Sequence, residues 1–112
     1  MHDAGNMLEQ LERWYAAQCN GDWEHTYGIT IETLDNPGWS FKVELRDTYL
    51  SGWTFEEIAE PQSSDHREFF HCRVKDDVFT GMCPPNRLRE VISVFLRWAE
   101  TSPAEQVENP AR

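Results

Sequence analysis

The chain has 112 residues, 39% of them hydrophobic, which is enough for one domain with a modest core. Twenty Asp and Glu against ten Lys and Arg give a net charge of −10 at pH 7, and this sign disfavours nucleic acid and anionic membranes as partners. No apolar run reaches the ~20 residues of a membrane helix, and no signal peptide opens the sequence. The three cysteines lack metal or disulfide spacing, so we expect free thiols in a cytoplasmic protein without a cofactor.

The negative charge is confined to the first part of the chain. Residues 1–66 contain thirteen acidic and three basic residues, whereas residues 67–112 contain seven of each. An acidic surface formed by the first part would steer a basic protein toward it. The plain alternative is a solvated exterior that only keeps the protein soluble.

The first predicted element is a helix that begins after Asn6, a typical N-cap residue. Glu9 occupies the position that bonds back to the backbone of the cap, and Asn20-Gly21 ends the helix. Apolar residues at helical spacing predict one buried face, made of Leu8, Leu11, Tyr15 and Cys19 and widened by Trp14.

A β-hairpin follows, because apolar and polar residues alternate in two adjacent segments. The predicted inward-facing residues are Ile29, Ile31 and Thr33 in the first strand and Trp39, Phe41, Val43 and Leu45 in the second. Both inward sets are odd-numbered, so the loop must have an odd number of residues, and 36–38 (Asn-Pro-Gly) supplies three. This register pairs Ile31 with Val43 and Glu32 with Lys42.

The rest of the chain predicts more strands and a closing helix. A third strand is predicted within 53–58, further strands at 69–74 and 78–80, and a helix from Asn86 to about Ala99. The polar segment 101–112 is predicted to be a flexible tail, which leaves about 6–100 ordered. The fold class is therefore α+β: a single domain over 1–112 in which an antiparallel β-meander of four to five strands packs with an N-terminal and a C-terminal helix.

The segment 14–45 combines the helix end, an aromatic and acidic turn and the hairpin. Its motifs are WY at 14–15, QCNGDWEH at 18–25, YG at 27–28 and IETLDNPGW at 31–39, with weaker agreement at Phe79, Gly81 and along the helix to Trp98. Over residues 8–99 the sequence resembles the immunity protein 53 family, the small antitoxins that accompany polymorphic toxins in bacteria. The resemblance implies a protein that binds and neutralises a cognate toxin, and not an enzyme.

A small metal-dependent enzyme is the alternative. Asp22, Glu24 and His25 place two carboxylates and an imidazole just after the helix end, and such groups can bind a divalent metal or act as acid and base. Their spacing matches no known metal-binding motif, however. Carboxylates and histidines in turns more often bond to nearby backbone amides.

We expect acidic side chains of this protein to attract a toxin and aromatic side chains to bury apolar surface in the contact. The candidate toxin-binding residues are Asp22, Trp23, Glu24, Glu32, Asp35, Glu44 and Trp53. The two tryptophans have polar neighbours and are predicted to be exposed anchors, whereas Asp22, Glu24 and Asp35 equally suit capping and turn roles. An acidic antitoxin suits a basic nuclease as its partner, because such a nuclease must itself attract phosphate.

Overall fold

The computed structural model describes residues 6–35, 37–60 and 69–101. The helices are α1 (Met7–Gln18), α2 (Trp23–Thr26) and α3 (Leu88–Ala99), and the strands are β1 (Ile29–Leu34), β2 (Gly38–Glu44), β3 (Ile58–Ala59), β4 (His71–Lys75) and β5 (Val78–Cys83). The strands form one antiparallel sheet in the order β1-β2-β5-β4-β3. The predicted α+β class, with an antiparallel sheet and a helix near each end, is confirmed. The predicted tail from residue 102 onward lies outside the described residues.

One face of the sheet packs against α3 and forms the core. Phe41 and Val43 of β2 and Phe79 and Cys83 of β5 are fully buried on this face, as the two-residue period of a strand requires. The residues of α3 that are buried against them are Val91, Ile92, Phe95, Leu96, Trp98 and Ala99. The predicted C-terminal helix is confirmed. The prediction succeeded because the apolar residues of α3 recur at helical spacing.

Aromatic rings fill the space between the helices and the sheet. The ring centroid of Phe95 lies 5.2 Å from that of Phe79, 5.9 Å from that of Phe41 and 5.0 Å from that of Trp14 in α1. All three pairs are edge-to-face, an arrangement that the ring quadrupole favours. Trp14 therefore joins α1 to α3 through the same cluster that joins α3 to the sheet.

The hairpin has the predicted loop length but a different register. Ile31 pairs with Phe41 and Ile29 with Val43, so β1 is displaced by two residues from the predicted pairing, and Glu32 faces Ser40. The three-residue loop is 35–37, and Gly38 is the first residue of β2. A Cβ atom on Gly38 would lie 2.3 Å from the carbonyl oxygen of Cys83 in β5. Gly38 is thus required for close approach to β5 and not for the turn.

The buried face of α1 also differs from the prediction. Met7, Leu11 and Trp14 are buried, whereas Leu8 is 60% and Tyr15 is 39% exposed. The reason is that α1 packs against α3, whose position the sequence of α1 does not reveal. The predicted cap is absent as well: the side chain of Asn6 makes no capping hydrogen bond. Cys19, expected in the buried face, follows the helix in an extended conformation and is exposed.

Candidate functional site

The acidic turn between α1 and β1 is closed by reciprocal hydrogen bonds. Oδ1 of Asn20 accepts hydrogen bonds from the backbone N–H groups of Asp22 and Trp23, at 2.9 and 3.0 Å. The carboxylate of Glu24 accepts from the backbone N–H groups of Asn20 and Gly21, at 2.9 and 2.8 Å. This is the logic of a capping box, in which two side chains satisfy amides at a helix start. The turn also needs Gly21, whose φ is +94°.

The hydrogen bonds that the Glu24 carboxylate accepts determine the direction of its pKa shift. Hydrogen bonds from its own backbone amide and from those of Asn20 and Gly21 lower the pKa of the Glu24 carboxyl, because they stabilise the charged form. His25 approaches this carboxylate only to 3.8 Å, and its side chain is 75% exposed. Asp22 is exposed and its side chain makes no capping hydrogen bond.

The structure supports a structural role for this turn more than a metal site. Both oxygens of the Glu24 carboxylate accept hydrogen bonds from backbone amides, which is a structural use of this side chain. Among residues 6–35, 37–60 and 69–101, no group of three or more His, Cys, Asp or Glu side chains has a geometry that could hold a metal ion. The predicted cluster of Asp22, Glu24 and His25 is thus part of a hydrogen-bonded turn, in which the carboxylate of Glu24 is used by backbone amides.

The exposure predicted for the two tryptophans is wrong. Trp23 is 1% exposed, and its ring lies 6.0 Å from Trp14 and 5.8 Å from Tyr15 between centroids. Trp53 is half-buried and packs edge-to-face against Tyr49 and Trp98, at 5.7 and 6.2 Å. Polar neighbours in sequence misled the prediction, because the turn directs the indole of Trp23 inward while its neighbours stay in water.

The remaining acidic candidates lie on or beside the hairpin. Glu32 and Asp35 are exposed on β1 and its loop. Glu44, at the end of β2, is half-buried, and its Oε1 atom is buried without a hydrogen-bond partner in the described part of the chain. The pairing places Glu32 opposite Ser40, so Glu32 and Glu44 share the face of the sheet away from α3. The candidates therefore form a broad acidic surface and not one cluster.

Within the described residues, β1 is an edge strand, and no other strand pairs with its outer side. The backbone N–H of Glu44 donates to the carbonyl of Gly28 at 3.1 Å, in the same register as the rest of the hairpin. In an antiparallel ladder every second residue bonds to the partner strand, so Thr30 and Glu32 bond to β2. The alternate residues of β1 are Ile29, Ile31 and Thr33. Their backbone N–H and C=O groups face outward, away from β2.

An apolar groove runs between α1 and this edge strand. It has a volume of about 400 Å³ and is lined by Leu11, Glu12, Tyr15, Tyr27, Gly28 and Ile29. Ile31, which follows Ile29 on the same face of β1, is 44% exposed. The sequence analysis does not predict this surface, because it places Tyr15 and Ile31 in the core. One signal in the sequence could have indicated this surface. The helix α1 has two apolar stripes, whereas a single buried face needs only one.

Comparison with known proteins identifies the family. The family model described as Immunity protein 53 matches residues 8–100, which include all five strands, α2, α3 and all of α1 except its first residue, Met7. Neither the curated proteins nor the solved structures contain a match to this chain. In the described ranges, no helix is long and apolar enough to cross a membrane. Because the family model covers most of the sequence, the chain belongs to the immunity protein 53 family.

Proposed function

We propose that this protein is the antitoxin of a bacterial polymorphic toxin system, which binds a cognate toxin in the cytoplasm and neutralises it by direct contact. The observation that carries the proposal is the family match over residues 8–100. Binding, and not catalysis, is also the role that suits the turn at 20–25, whose carboxylate and amide groups bond to one another.

The proposed contact surface is the acidic turn at 20–25 and the hairpin, which lie within the part of the sequence, residues 1–66, that accounts for the whole net charge of −10. Asp22, Glu32 and Asp35 are exposed there and supply the attractive field, to which the partly engaged Glu24 and Glu44 add. Because Trp23 is buried and Trp53 is half-buried, exposed side chains make the contact instead of these two indoles. A basic toxin fits this surface best, and a nuclease is such a protein because it must attract phosphate.

The cysteines suit a reducing compartment. All three are free thiols. Burial raises the pKa of Cys72 to about 12 and that of Cys83 to about 11, so both remain protonated and unreactive at neutral pH.

The test is the rate at which the protein associates with the toxin domain encoded beside its gene. The variant Glu32→Gln/Asp35→Asn should associate several-fold more slowly at low salt, because rim charges act mainly on the association rate. The difference should vanish in 1 M salt, where the Debye length falls to ~3 Å. The control Asp76→Asn/Glu100→Gln removes the same number of charges from residues 67–112 and should match the wild type.

Two outcomes would contradict the proposal at different levels. If the wild-type protein neither binds nor inhibits this toxin, the antitoxin function is wrong. If the toxin binds but both double variants slow its association equally, the function stands and the assignment of the acidic surface is wrong.

A further inference from the structure

We infer that the toxin is recognised by strand addition: an extended segment of the toxin pairs with the open edge of β1, places an apolar side chain over the groove between α1 and β1, and presents basic side chains on the opposite face. This inference rests on the proposed function, since it specifies the part of the toxin that the antitoxin binds.

The backbone of β1 is available for pairing. Its outward N–H and C=O groups, at Ile29, Ile31 and Thr33, lie on a strand of six residues at one end of the sheet order. The strand at the other end, β3, has only two residues and offers little to pair with. An edge with free backbone groups is a template for an added strand. Main-chain hydrogen bonds then provide affinity without requiring a particular sequence.

The groove favours an apolar side chain on the added strand. Directly opposed residues in neighbouring strands point to the same face of a sheet. A toxin residue opposite Ile29 or Ile31 would therefore point toward the α1 side, where Leu11, Tyr15 and Tyr27 line the groove. An apolar residue at that position would cover Ile31, which is 44% exposed in the free protein, and would bury apolar surface on both partners.

Charge determines which kind of strand fits. A toxin residue opposite Glu32 would lie on the other face of the sheet, beside an exposed carboxylate. Lys or Arg at that position forms an opposite-charge cross-strand pair. Glu12 adds a second carboxylate at the groove itself. The segment that fits has alternating apolar and basic residues.

A second copy of this chain fits the same edge poorly. Pairing of two β1 strands would place the Glu32 carboxylates of both chains on one face of the joined sheet. It would also bring together two chains that each carry a charge of −10. Both effects oppose self-pairing, because like charges across neighbouring strands are destabilising.

Amide hydrogen exchange by NMR, on the full chain with and without the catalytically inactivated toxin domain encoded beside its gene, tests the inference. In the free protein the amides of Thr30 and Glu32 should exchange slowly, since they bond to β2, and those of Ile29, Ile31 and Thr33 should exchange fast. In the complex the exchange of these three should slow at least about tenfold, the effect expected when an open N–H gains a stable partner. Docking by side chains alone would not produce this alternation.

A matched pair of variants tests the same edge. Ile31→Pro removes an N–H that β2 does not use and should weaken toxin binding at least about tenfold, since it blocks strand pairing on the open side. Ile31→Val keeps that N–H and most of the apolar side chain and should lose much less toxin binding than Ile31→Pro. The thermal unfolding of each variant shows whether it is folded, and hydrogen exchange of the wild type distinguishes the two docking modes even if Ile31→Pro unfolds.

The outcomes separate this inference from the proposed function. Protection of Ile29, Ile31 and Thr33 in the complex supports strand addition. A complex in which these amides still exchange fast overturns strand addition while the antitoxin function stands. The absence of any complex overturns the function itself. Protection of these amides in the free protein, together with a dimer in sedimentation, would assign the edge to a second copy and overturn the inference.

Discussion

The region of β5 and α3 and the region of β1 and α1 differ in how completely their residues are buried. In β5 and α3, Phe79, Cys83 and Phe95 are fully buried, and every second residue of β5 faces the helix. In β1, by contrast, no residue is buried, and α1 buries only three of its twelve residues. Both regions contain apolar side chains, so hydrophobicity alone does not distinguish them. We interpret the difference as a division of roles, in which the β5–α3 side provides stability and the β1–α1 side is left free to bind.

The largest effect should come from removing a ring on the covered side. Phe79→Ala leaves a cavity among Phe55, Phe95 and Trp98, whose ring centroids lie 5.3, 5.2 and 6.3 Å away, and should lower the free energy of unfolding by about 3–5 kcal/mol. Ile31→Ala on the open strand should lower it by about 1 kcal/mol or less. Urea unfolding of both variants provides the measurement. Equal losses would show that the two sides do not differ in stability.

The second-largest loss of stability should come from a substitution where α3 lies close to β5. A Cβ on Gly81 would lie 2.4 Å from Cγ1 of Val91, so Gly81→Ala should destabilise the protein by about 1–3 kcal/mol through overpacking. Adding Val91→Ala removes the clashing methyl group, and the double variant should lose less than the sum of the two single losses. Gly38→Ala serves as the control, because its clash is with the backbone of Cys83 and cannot be relieved by Val91→Ala. Simple additivity at Gly81 and Val91 would contradict this account of the contact.

A smaller effect is expected where α1 meets α3. The hydroxyl of Tyr49 accepts a hydrogen bond from Nε1 of Trp14 at 2.9 Å and donates one to the carbonyl of Ala99 at 3.2 Å. Tyr49→Phe removes both bonds and should lower the free energy of unfolding by about 1 kcal/mol. Tyr27→Phe alters a tyrosine of the groove and should leave unfolding unchanged. If the two variants behave alike in thermal unfolding, the Tyr49 link does not hold α1 in place.

The smallest effect should be a change in the pH dependence of stability. The pKa of Glu24 is lowered in the folded state, chiefly by backbone amides. The charged form therefore stabilises the fold at neutral pH, and this contribution is lost as the pH falls through the folded-state pKa. Glu24→Gln should flatten the acid side of the stability curve. Unfolding measured from pH 7 down to pH 3 tests this, and parallel curves for Glu24→Gln and wild type would refute it.

The sequence predicted those features that depend on local pattern. Helical spacing located α3, and strand alternation located the hairpin with its three-residue loop. The register could not be predicted, because the reason that Gly38 belongs to β2 is its contact with Cys83, far along the chain. The burial of Trp23 was missed for a related reason, since its partner Trp14 lies on a helix whose position is set by Phe95.

The exposure of three acidic candidates agrees with the sequence analysis, but the apolar groove was not predicted. The acidic side chains Asp22, Glu32 and Asp35 are exposed as the interface hypothesis requires. The groove was missed because the apolar stripe through Leu8 and Tyr15 was assigned to the core. A sequence pattern shows that a stripe is apolar, but only the arrangement of neighbouring elements determines whether another part of the same chain covers it.

The open edge of β1 also affects how the free protein behaves in solution. A strand of this length with free backbone groups is a route to aggregation, and charge is one of the means by which proteins block it. At neutral pH the charge of −10 keeps copies apart. Near the isoelectric point of about 4.7 that repulsion disappears. We therefore expect the free protein to precipitate on mild acidification, and a complex in which the edge is covered to stay in solution.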